Sequence, residues 1–219
     1  MEEQVMSYSL LEMATKGGWI MIVLAILSLV AIYLFGKKLW LISKASKIDR
    51  YFMNDIQDYL HAGQVKNAKA LCSKYDTPVA RMVEKGISHR HAPLQEVQAA
   101  MENAGNVEVA RIEKGLSGLA SIAGGAPMIG FLGTVTGMVK AFFNMANSGN
   151  NVDITLLSGG IYEAMITTVG GLIVGIIAYF AYNFLVGRVA ALTASMDTAT
   201  MDMLDILESM PEGVEEEKE

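Results

Sequence analysis

The sequence predicts an all-α integral membrane protein with three transmembrane helices, the second and third extended into the cytoplasm as long helices. Three observations lead there. Of the 219 residues 52% are hydrophobic, the mean hydropathy is +0.34, and the apolar residues fall in blocks rather than being spread evenly. Three of those blocks are long enough to cross a hydrocarbon core of ~30 Å, and none alternates as a membrane barrel strand would. Finally, 13 of the 17 lysines and arginines lie between Gly36 and Gly115, which fixes one orientation.

The elements follow in order. The opening MEEQVMSYSLLEMATKGG has no basic n-region, and the run Trp19–Phe35 ends at Lys37 and Lys38 rather than at a small-residue cleavage site. A retained anchor is therefore expected, with residues 1–17 extracytoplasmic and 18–36 as the first span. Residues 37–115 form a cytoplasmic helical region. Within it Leu94, Val97, Met101 and Ala104 mark one helical face after Pro93, a residue suited to a first turn, and this helix is expected to run on into the second span. The second span, 116–146, is interrupted only by Lys140, and the third, 154–187, only by Glu163. A short periplasmic loop, 147–153, joins them. Val189, Leu192, Met196, Ala199, Met203, Ile206 and Met210 then repeat in steps of three and four, predicting a cytoplasmic helical extension over 188–210. From Ile154 to Met210 such a helix would reach about 85 Å. Pro211 and Gly213 end it, and 211–219 is an acidic tail.

Several function classes drop out. No glycine-rich nucleotide loop is present, no Ser/His/Asp set is legible, and His61, His89 and His91 lack the spacing of a helical metal site. The single cysteine, Cys72, allows neither an internal disulfide nor a cysteine metal cluster. The basic residues of 36–115 alternate with acidic ones, which disfavours nucleic acid. The expectation is a protein that is not an enzyme and needs no cofactor or metal, so a transmembrane ion gradient is the local energy source.

The second and third spans carry the unusual residues. Pro127 removes a helical hydrogen bond and leaves the carbonyl of Ala123 without its usual partner. Gly130, Gly133 and Gly137 recur at helical spacing, Gly171 and Gly175 form a GxxxG pair, and such small residues let helices approach closely. Thr134 and Thr136 place hydroxyls beside the glycine stripe. Glu163 lies nine residues into an apolar run. It either points into a bundle or aqueous cavity, or sits at the outer interface, because Ala164–Val186 alone supplies 23 uncharged residues. Lys140 lies toward the outer end of its span, where snorkelling explains it and pairing with Glu163 is an alternative.

The segments APMIGFLGTVTGMVKAF (126–142) and GGIYEAMITTVGGLIVGIIAYFAYN (159–183), with TPVARMVEKG (77–86) and LSGLASIAGGAP (116–127) beside them, resemble the MotA/TolQ/ExbB proton-channel family. Three spans resemble its ExbB/TolQ branch. That resemblance implies a homopentameric ring enclosing the helices of a single-span ExbD/TolR-type partner that supplies an aspartate. It also implies a TonB- or TolA-type protein that carries the motion outward, and a multi-pass location in the bacterial inner membrane with the N-terminus periplasmic and the C-terminus cytoplasmic. It assigns the proton pathway to Thr134, Glu163 and Thr168, with Pro127 as the second-span proline in support; Thr136, Lys140 and Thr167 are candidate supporting positions from their own placement, Lys140 as a departure within the motif. At 100° per residue Thr168 lies about 140° around the helix from Glu163 and Thr167 only about 40°, so Glu163 and Thr168 need not share a lumen. A threonine hydroxyl can order water and pass protons but does not usefully titrate. The expected function is an ExbB-like channel and motor subunit serving TonB-dependent outer-membrane transport. The alternatives are a TolQ-like role in envelope integrity and a non-conducting scaffold; a small-molecule transporter is disfavoured by the lack of two repeat halves.

Overall fold

The computed structural model describes residues 17–147 and 154–210, all of its regular structure being α-helical. The expected extracytoplasmic segment (but for Gly17), most of the periplasmic loop and the acidic tail lie outside the described residues. The helices are α1 (Gly18–Ala45), α2 (Phe52–His61), α3 (Val65–Tyr75), α4 (Pro78–Ser88), α5 (Leu94–Glu113), α6 (Leu116–Asn147) and α7 (Ile154–Glu208). Three are long and apolar enough to cross a membrane: α1 with 28 residues, α6 with 32, and 52 residues of α7 from Leu157. The chain divides into two compact units, one of residues 1–36 and 116–184, the other of 37–115 and 185–219.

The first unit holds the membrane-spanning segments. Its helices are apolar almost all round, as helices facing lipid or other subunits must be. Ile22, Leu29, Ile32, Met128, Phe131, Val139, Ile177 and Phe180 are all exposed. Few large side chains are buried here, Leu24 among them, and much of the rest of the interior is made of Ala126, Ala141, Ala164, Ala178 and glycines. Phe35 and Phe184 add a tilted ring contact at 6.2 Å.

The second unit has an ordinary hydrophobic core. Phe52, Ile56 and Leu60 of α2, Ala68 and Cys72 of α3, and Val79, Met82, Val83 and Ile87 of α4 are buried. Each of α2 to α5 packs on its sequence neighbour. Thr77 caps α4 by accepting from the Ala80 N–H at 3.3 Å, and Pro78 follows at the first helical turn. The heptad face of α7 is buried here: Val189, Leu192, Met196, Ala199, Met203 and Ile206 are each at most 5% exposed. Burial of the Cys72 side chain pushes its thiol up to about 12.

Two expectations about α5 need correction. Its buried stripe is Val97, Met101, Gly105, Glu108 and Ile112, whereas Leu94 is 41% exposed and Ala104 half-buried. Gly105 takes the place expected of Ala104 because a β-carbon there would already stand 3.2 Å from Met82 Sδ and 3.4 Å from Met196 Cε. Glu108 belongs to the stripe because Arg81 Nη2 and Arg111 Nη1 donate to its carboxylate at 2.6 and 3.0 Å. That carboxylate in turn raises the basicity of Arg81, whose Nη1 also reaches Asp76 at 2.5 Å. The second correction concerns length. α5 ends at Glu113, and Gly115 at φ +96° separates it from α6, so no helix runs on into the second span. Lys38 Nζ donates to the Ile112 carbonyl at 2.9 Å and also to that of Lys114, placing a cation on the carbonyl end of α5.

Candidate functional site: a polar cavity among the membrane helices

The site is built on a ladder of small residues between α6 and α7. Pro127 faces Gly175, Gly130 faces Gly171, Gly133 faces Thr167, Gly137 faces Ala164, and Ala141 faces Gly160. Numbers rise along α6 as they fall along α7, in steps of three or four, so one stripe of each helix meets the other antiparallel. The approach is close enough to exclude side chains. A β-carbon on Gly171 would stand 2.6 Å from the Ala126 carbonyl oxygen, and one on Gly130 2.7 Å from that of Thr167. In lipid, where apolar burial gives no net drive between helices, such backbone contact supplies the attraction.

Pro127 fits the same ladder. The Ala123 carbonyl that it deprives of a donor lies against Gly175, where a β-carbon would be 3.1 Å from that oxygen and 2.5 Å from Pro127 Cγ. Only a residue without a side chain admits both the ring and the exposed carbonyl. One turn further along, the Gly130 carbonyl accepts from two hydroxyls of α7, Thr167 Oγ1 at 3.3 Å and Thr168 Oγ1 at 3.1 Å. Thr167 also donates within its own helix to Ala164 O at 2.7 Å and is 2% exposed.

Beside this ladder lies a cavity of about 120 Å³ among all three membrane helices, lined in part by Thr136, Lys140, Glu163 and Thr167. Glu163 is half-buried there. The first span adds Trp19 and Ile20 to the lining, and Gly18, at φ +64°, lets α1 begin against Glu163. A β-carbon on Gly18 would lie 2.5 Å from Glu163 Oε1. Thr136 Oγ1 donates along its own helix, to Leu132 O at 2.9 Å and Gly133 O at 3.2 Å.

The residues expected from the sequence therefore separate. Glu163, Thr167, Thr136 and Lys140 are brought together in one cavity. Thr168 does not line it; its hydroxyl is held on the α6 backbone at Gly130. Thr134 joins neither, since its Oγ1 donates to Phe131 O at 2.6 Å and it borders a shallow outward hollow with Val135, Met138, Val139 and Phe142. Gly18, Trp19 and Ile20 escaped the sequence reading because the first span is apolar on every side; the paired Gly17 and Gly18 at its start were the available signal. Among the described residues no group of three or more His, Cys, Asp and Glu side chains is placed to hold a metal.

What this arrangement can do is hold water against an acid in an otherwise apolar bundle. Residues 74–198, more than half of the chain, match the model of the MotA/TolQ/ExbB proton channel family. Curated relatives agree. A biopolymer transport protein named as an ExbB homolog from Methanothermobacter thermautotrophicus is 29% identical over 182 residues, covering 83% of this chain and 64% of its own. An ExbB-like protein of Synechocystis is 30% identical over 179 residues, covering 81% and 70%. The biopolymer transport protein ExbB of Neisseria gonorrhoeae is 41% identical over 93 residues, 42% of each chain. The chain thus spans less than two thirds of the length of some of these relatives. With three candidate spans and this likeness to ExbB-named proteins, the chain belongs to the MotA/TolQ/ExbB proton channel family.

Proposed function

We propose that the protein is an ExbB-like subunit of a bacterial inner-membrane proton channel that converts the proton gradient into movement of a partner. The observation that carries this reading is the meeting of Glu163, Thr167 and Thr136 in one cavity among the membrane helices. An acid in that position can take up and release a proton, and flanking hydroxyls can order the waters that deliver it. The hydroxyl of Thr168 and the outward-facing Thr134 are then available to a path completed by other chains: a ring of copies of this subunit and a single-span ExbD/TolR-type protein supplying an aspartate. Each proton gives about 2.3 kcal/mol per 100 mV, so mechanical work on a TonB-type protein requires repeated steps. The expected orientation has the N-terminus periplasmic and the second unit cytoplasmic. No covalent chemistry is assigned to the chain.

The test is complementation of a strain lacking the protein by Glu163→Ala and Thr168→Ala, with assembly followed by cross-linking. Loss of TonB-dependent uptake with assembly intact supports the reading. Loss of envelope integrity instead points to a TolQ-like role, and full activity of both variants leaves only a scaffold.

A further inference from the structure

Each of the two apolar runs that form α6 and the membrane part of α7 contains one charged residue, Lys140 in Leu116–Ala146 and Glu163 in Ile154–Val186. These two single charges, of opposite sign and on different helices, line the same cavity. Among the described residues they are the only ionisable side chains that line it. Gly17 and, from α1, Trp19 and Ile20 form one wall, and the remaining lining comes from glycines and from Thr136 and Thr167.

Without Lys140 this would be a fair seat for an alkali-metal ion. A carboxylate and two hydroxyls are hard oxygen donors of the kind such cations take. A cavity of about 120 Å³ also has room for a small cation with a few waters, each water occupying about 30 Å³ of liquid. With Lys140 on its wall the cavity already carries a positive charge, on an exposed side chain that makes no ion pair with Glu163 within 4 Å. The start of α1 adds to the effect. Gly18 lies against the Glu163 carboxylate, so the positive end of that helix dipole also faces the acid. A second cation entering would meet an ammonium and a helix N-terminus with one carboxylate to balance both. A proton needs no coordination shell; it binds one carboxylate oxygen.

We propose that Lys140 is the resident cation of this cavity and a specificity-determining group, its charge on the cavity wall holding off the sodium ion that Glu163 would otherwise draw in. The inference deepens the proposed proton path and rests on it for its consequence in conduction. Its own test is a binding measurement on this chain alone, so that the two fail separately.

The full chain, purified into lipid nanodiscs, is unfolded thermally in rising NaCl and, at matched ionic strength, choline chloride. The wild type is expected to respond alike to both salts. Lys140→Met is expected to gain a saturable sodium-specific rise in Tm of several degrees. Lys140→Arg, which keeps the charge, does not gain it, and Lys140→Met with Glu163→Gln loses it. Lys140→Gln provides the same reading where the methionine variant does not assemble. Identical salt responses of wild type and both neutral variants would overturn the proposal. So would saturable sodium stabilisation of the wild type that Glu163→Gln removes. Normal sodium exclusion with no proton flux in the assembled complex would instead count against the proton path.

Discussion

The backbones of Gly130 and Gly171 touch: a β-carbon on Gly171 would stand 2.8 Å from Gly130 Cα and 2.6 Å from the Ala126 carbonyl oxygen. Neither neighbour is a flexible side chain that can swing away. Gly171→Ala should therefore spread α6 from α7 and lower stability by about 1–3 kcal/mol, the usual cost of overpacking. Gly124→Ala, where a β-carbon meets nothing within 4 Å, is the control and should match or exceed the wild type. Thermal unfolding in nanodiscs checks both, and equal effects would remove the ladder as the source of cohesion.

Arg81 and Glu108 make the other strong pairing, in the second unit. The Glu108 side chain is only 9% exposed, and Arg81 Nη2 meets it at 2.6 Å. Arg81→Ala leaves a buried carboxylate with Arg111 alone, itself largely exposed, and should cost about 2–4 kcal/mol. Arg81→Ala combined with Glu108→Leu should recover much of that loss, because no charge is then left uncompensated. Denaturant unfolding of the four variants closes the cycle; additive losses would show that the pair is not coupled.

Cys72 supplies a pH prediction. Its thiol is raised to about 12 from an ordinary 9.0. Between those values the folded chain retains a proton that the unfolded chain releases, so stability should fall as pH rises from about 9 toward 12. Below about 9 both states hold the proton and the thiol contributes no slope. Dithionitrobenzoate at pH 8 should leave the native thiol untouched and react once the chain is unfolded; rapid labelling of the native protein contradicts this.

How much of this was legible in the sequence depends on what kind of pattern each feature leaves. The buried face of α7 from Val189 to Ile206 was readable because it repeats every three or four residues beside polar neighbours. The association of Glu163 with Thr167 rather than Thr168 followed from helical angle alone. Thr134 was different. In a helix that is apolar on all sides, composition says nothing about which face meets a neighbour, and only the contact of Gly130 and Gly133 with α7 turns Thr134 outward. The same reason hid Gly18, Trp19 and Ile20 in the first span. The end of α5 was missed because Gly115 reads as one more small residue until its positive φ is seen. Lys38 reads from the sequence as one of the charges flanking the first span, and its role on the α5 carbonyls depends on a contact 74 residues away in the chain.

The central claim is that Glu163 lies on a proton path, and proton flux tests it most directly. The protein is reconstituted into liposomes with the proposed single-span ExbD/TolR-type partner, a potassium diffusion potential is imposed, and internal acidification is read from a pH dye. Glu163→Gln keeps the shape of the side chain and removes the exchangeable acid. It should assemble normally and lose at least tenfold in flux, a barrier increase of about 1.4 kcal/mol or more. Wild-type flux from a fully assembled Glu163→Gln complex would contradict the account.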